Sequence, residues 1–133
     1  MGKRALAIAL VVLGALEHFA LLCWAIAMII YERRHPSDMP FGYLFAAVLF
    51  IILATSLPSA RWLYRHLEWM VFDEDARLVW TGVGMVVAPW MGMWLHILAF
   101  RNFFWFGPLG TLAIFLAPAV GSVVPYLLIS LLV

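Results

Sequence analysis

The sequence predicts an all-α integral membrane protein with four transmembrane helices and a short interfacial amphipathic helix between spans two and three. Composition is the first observation behind this. Of the 133 residues, 67% are apolar and 11% charged, and the mean hydropathy is +1.05. An ordinary soluble domain is about half apolar and about a quarter charged. The second observation is length. A helix of roughly 20 apolar residues spans a bilayer, and the chain holds four runs near that length. The third is punctuation: charged residues and turn formers gather in the short stretches between the runs. Residues 1–133 therefore read as a single membrane domain.

The first span is expected at residues 5–31. It follows Lys3 and Arg4 and stops at Glu32-Arg33-Arg34-His35-Pro36, where charge ends the apolar run and Pro36 disfavours helix at His35. Its length exceeds a secretory h-region, so it reads as a retained span. The second is expected at 41–57, with Pro58 closing it. The interfacial helix is expected at 60–72. There Arg61, Arg65 and Glu68 recur at helical spacing, with Trp62 and Trp69 as aromatic anchors. Asp73-Glu74-Asp75 then suits a helix N-terminus, where negative charge is favoured. The third span is expected at 78–100 and the fourth at 109–133. Between them lies an aromatic turn in which Trp105 is a further interfacial anchor.

Small residues point to helix packing. Gly84, Ala88 and Gly92 recur every four residues in span three, and Ala113, Ala117 and Gly121 do so in span four. Such rows let helix backbones approach closely, so spans three and four are expected to pack along them.

Chemistry concentrates at Glu17 and His18, adjacent and near the middle of span one. An ionisable group at that depth costs roughly 2.5–3.5 kcal/mol on insertion scales, so it needs a partner, a wet cavity or a proton. His96 is the other deep ionisable residue, a few ångströms nearer the far side by residue count. On a helix, Glu17 points about 100° away from His18, so one can face the interior and the other a partner subunit. No Lys or Arg lies at membrane depth. Cys23, the single cysteine, reads as a small apolar residue of the first span; with one cysteine, no internal disulfide or CxxC pair is possible.

The expected role is an accessory or anchor subunit of a larger membrane-embedded enzyme complex, energy-converting or oxidising, with no turnover of its own. The chain has no Gly-rich phosphate loop, no HExxH and no nucleophile elbow. Its net charge of +1 and lack of a basic block give no nucleic-acid signal. Partners are expected to be membrane lipids and other membrane subunits. No cofactor is required, but a b-type haem or quinone anchor using His18 and His96 is a further possibility; no other metal ligands stand out.

A local resemblance adds one more alternative. Glu17 in the first span and Trp80-Thr81-Gly82-Val83-Gly84 in the third resemble the small multidrug-resistance transporters. That resemblance implies proton-coupled export of cations by a dimer, with Glu17 as the proton and substrate site. The connection between spans two and three is longer here than in that family.

Lys3, Arg4, Arg61, Arg65 and Arg77 fall on one side of the membrane and Arg33, Arg34 and Arg101 on the other. By the positive-inside rule both termini are expected in the cytoplasm, in a bacterial or archaeal inner membrane.

Overall fold

This computed structural model describes every residue except Met1, Ser37, Asp38, Pro40 and Phe72, and leaves aside the side chains of Phe104 and Phe106. Four long helices form: α1 (Lys3–Arg34), α2 (Phe41–Leu67), α3 (Glu74–Arg101) and α4 (Gly110–Leu132). A 3-10 segment, Phe103–Leu109, leads into α4. Each of the four is long and apolar enough to cross a membrane. The chain is a small polytopic membrane protein, all-α among the described residues.

One element differs from expectation. Span two does not end at Pro58, and no separate interfacial helix covers 60–72. Instead α2 continues through Pro58 to Leu67. The proline removes one helical donor, a loss that membrane helices tolerate when hydroxyls or neighbours brace the turn. Here Thr55 donates to the Ile51 carbonyl (2.7 Å) and Ser59 to the Thr55 carbonyl (2.6 Å). Burial then fixes the course of the helix. Ala60, Leu63 and Leu67 pack with Ala88, Tyr126 and Ile129 in one core cluster. The stretch is amphipathic, but its apolar face packs on α3 and α4. Arg61, Trp62 and Arg65 stay exposed.

At the start of α3, Asp73 is the N-cap; its carboxylate accepts from the Asp75 N–H, 3.1 Å away. Before α4, Gly107 takes a φ of 56°, the left-handed region that glycine enters at little cost.

The helices run up, down, up, down. α1 and α3 are parallel neighbours, with Leu10 against Gly82 and Gly14 against Met85. The α3–α4 pair makes the most extensive contact, and α2 and α3 touch across the middle. Close approach rests on absent side chains. A Cβ on Gly14 would lie 2.5 Å from the Met85 Cβ, and one on Gly121 2.6 Å from the Met91 carbonyl oxygen. α1 is the least embedded. Its buried residues, Ala7, Gly14, His18, Ala25 and Glu32, form one narrow stripe, flanked by half-buried Leu10, Val11, Leu21, Met28 and Ile29, and most of its remaining surface is exposed.

The N-terminal end of α1 is tied to that of α3 by an ion pair, Lys3 Nζ to Asp73 Oδ2 at 2.5 Å. The hydrogen bond from Lys3 holds the Asp73 carboxyl below its usual pKa. A carboxyl depressed on folding stabilises above its unfolded pKa, near 4, and that contribution is lost as pH falls through the lower folded value. Asp73→Asn keeps a capping side chain and removes the ion pair. Wild type should therefore melt slightly above the variant at pH 6, and the gap should narrow and then close as the pH is lowered below about 4. Both groups are half exposed, so the gap should also shrink in high salt.

Candidate functional site

Glu17 and His18 leave α1 in different directions. His18 turns inward and is 4% exposed. Its Nδ1 lies 2.7 Å from the Gly14 carbonyl and its Nε2 2.7 Å from Ser56 Oγ on α2. Ser56 Oγ in turn lies 2.8 Å from the Tyr126 hydroxyl on α4. A carbonyl only accepts, so Nδ1 carries the proton towards Gly14. In the neutral ring Nε2 then accepts from Ser56, and Ser56 accepts from Tyr126. One hydrogen-bond chain thus runs from α4 through α2 to α1, with every member engaged. Beside it, Thr55, next to Ser56, and Ser122, one turn from Tyr126, join α2 to α4 by a short hydroxyl–hydroxyl hydrogen bond. Neither nitrogen of His18 is open to a metal in this arrangement.

His96 is buried on α3. Its Nδ1 approaches the Ile114 carbonyl at 3.4 Å, and it lines a small hollow of about 210 Å³ with Phe41, Leu44, Phe45 and Phe100. The α1–α3 register corrects its depth. Gly14 faces Met85 and Leu10 faces Gly82, an offset of 71–72 residues. His96 is therefore level with residue 24 or 25 of α1, about 10 Å beyond His18 rather than a few ångströms. The structure does not bring the two histidines together.

Glu17 turns to the outer surface. It lines a cleft of about 770 Å³ between α1 and α3, with Trp24, Trp90 and Trp94 among its walls. The Trp90 indole lies beside the carboxylate. Its oxygen Oε2 is buried yet has no hydrogen-bond partner among the described residues. The three indoles are 49%, 69% and 58% exposed, although tryptophan ordinarily favours the headgroup level. Among the described residues, two other buried polar atoms lack partners, Thr81 Oγ1 and Arg77 Nε.

The remaining sequence candidates divide by place. Gly84, Ala88, Gly92 and Gly121 are buried; Ala113 and Ala117 are partly so. Gly84 meets the Tyr126 ring, and Gly92 meets Ile52 and the Pro118 carbonyl. Trp69 and Trp105 are 86% and 88% exposed, and Trp62 is 45% exposed. Among the described residues, no three His, Cys, Asp or Glu side chains cluster as a metal site.

Several contributors give little sign in the sequence. Ser56 and Tyr126 look like scattered polar residues in apolar runs. Trp90 and Trp94 stand one turn apart away from either end of span three, a misplacement that was the available clue. Glu32 looks like part of a charged stop. Its buried carboxylate instead accepts from the Gly42 N–H at 2.9 Å, at the start of α2.

No family model, curated protein or solved structure matches the chain. Fold and site together define a four-span membrane protein whose deep carboxylate faces out of the bundle.

Proposed function

We propose that the chain is an accessory or anchor subunit of a larger membrane-embedded enzyme complex, and that it docks through the α1–α3 cleft. The carrying observation is the buried, unpartnered Glu17 oxygen in an outward cleft walled by indoles. Lipid tails offer that carboxylate nothing. A neighbouring membrane helix with a hydrogen-bond donor at the same depth offers both a bond and apolar cover for the rings. The narrow packed stripe of α1 supports the same reading, since most of that helix remains uncovered. In this reading both termini are cytoplasmic.

Affinity purification from native membranes should then recover other membrane subunits in fixed ratio. Glu17→Leu should lower their recovery about tenfold, which corresponds to roughly 1.4 kcal/mol. It should leave the bundle folded, because among the described residues Glu17 Oε2 has no partner to lose. Recovery of wild type alone as a monodisperse homo-oligomer would end the proposal.

A second reading has its own observation. Three indoles beside a carboxylate make a cation–π environment, and the cleft volume lies in the range of small-molecule sites. On this reading the chain is a small proton-coupled transporter of apolar cations with Glu17 as the proton site. Tetraphenylphosphonium should bind the wild type in proteoliposomes and be lost with Glu17→Gln; no binding by wild type excludes it.

A further inference from the structure

Beyond Pro58, α2 carries Arg61 and Arg65 four residues apart, and hence on one face. Both are exposed. Trp62 stacks on His66 with ring centres 5.1 Å apart and planes 13° from parallel. These four residues, with Leu57, Pro58 and Trp69, line a hollow of about 790 Å³.

Of the other basic groups on this side of the bundle, Arg4 is exposed but does not line the hollow, and two are engaged. Lys3 is paired with Asp73. Arg77 donates to the Val71 carbonyl at 3.3 Å and lies over the Tyr64 ring at 5.6 Å. Among the described residues, no side-chain hydrogen bond or ion pair holds Arg61 or Arg65. Glu68, one turn past Arg65, is exposed and does not neutralise it.

We infer that this hollow binds the headgroup of an anionic phospholipid. The polarity of the hollow follows the order of a lipid molecule. Leu57 and Pro58 lie nearer mid-membrane and offer an apolar floor for the start of the acyl chains. The arginines stand one and two turns further out. Their planar forks match the oxygens of a phosphodiester, which accepts two parallel N–H bonds. Trp62 and Trp69 sit at the headgroup level that indoles favour. A net negative headgroup is selected because a zwitterion brings its own ammonium against the guanidinium pair. A soluble anion would use the arginines and leave the apolar floor idle.

The test is lipid retention. The full chain is equilibrated in vesicles of equal phosphatidylglycerol and phosphatidylcholine, extracted mildly, and its bound lipids are counted by native mass spectrometry. Each arginine near an anionic surface contributes roughly fivefold, so the wild type should retain phosphatidylglycerol at least about tenfold over the bulk ratio. Arg61→Gln with Arg65→Gln should return retention to bulk. Arg61→Lys with Arg65→Lys, which keeps the charge, should give an intermediate value because the forks are lost. Arg33→Gln with Arg34→Gln removes equal charge on the opposite side and should leave the enrichment intact. Three results overturn the site: no enrichment in the wild type, enrichment surviving the Arg61/Arg65 glutamine pair, or an equal loss from the Arg33/Arg34 pair. The last would mean that diffuse charge alone attracts the lipid.

Discussion

Gly121→Leu should remove the folded four-helix state in mild detergent, read as loss of the monodisperse species and of its cooperative melt. The reason lies in what the new side chain meets. A Cβ at this position would stand 2.6 Å from the Met91 carbonyl oxygen and 2.9 Å from the Gly92 Cα. Both are backbone atoms, so no rotamer change relieves the clash. The helices must part, along the most extensive helix pair of the bundle. Over-packing usually costs 1–3 kcal/mol; with rigid neighbours on both sides, about 3 kcal/mol or more is expected here. Gly2→Leu is the control, because nothing lies within 4 Å of a Cβ at that position. A Gly121→Leu protein that melts with the wild type would show that the α3–α4 seam does not govern stability.

Ser56→Ala should be the most damaging of the conservative polar changes. The hydroxyl serves two partners at once, His18 Nε2 at 2.7 Å and Tyr126 Oη at 2.8 Å, and all three groups are buried. Its removal strands an acceptor and a donor where no water competes. Interhelical hydrogen bonds in membranes average about 0.6 kcal/mol and reach about 1.7. Two are broken here, so a loss of about 1–2 kcal/mol is expected in a thermal or denaturant titration. The cycle with Tyr126→Phe is the sharper measurement. Once Ser56 is gone, the tyrosine hydroxyl is only a burden, so its removal should cost little or help slightly. Additive losses would mean that Ser56 and Tyr126 do not act through one another.

The membrane class and the four spans were legible because the bilayer imposes them: apolar runs of a certain length have few alternatives. The end of span two was not. Pro58 reads as a stop only if the following turns have nowhere to pack. Leu63 and Leu67 are fully buried because α3 and α4 are there to receive them, and no local pattern announces those neighbours. The candidate site divides the same way. Glu17 and His18 are conspicuous as polar residues in an apolar run, and helix geometry alone separates them by about 100°. Which of them points inward depends on where α2 and α3 stand around α1. Ser56 and Tyr126 join the site only through tertiary pairing, 38 and 108 residues beyond His18. The depth of His96 failed for a related reason: counting from each end of a helix ignores the axial offset between helices, here set by Gly14 and Gly82.

That late pairing has a consequence for biogenesis. α1 leaves the ribosome before any helix that will hold it. At roughly 5–20 residues per second, Tyr126 follows His18 by about 5–20 s. Until α2 arrives the imidazole has only the Gly14 carbonyl of its own helix, and the hydrogen-bond chain through Ser56 stays incomplete until Tyr126 follows. Of the four spans, α1 is also the least buried, so most of its apolar surface is turned to the bilayer. The helix that waits longest with an unmatched ionisable pair is the one whose surroundings bind it most firmly to the bilayer.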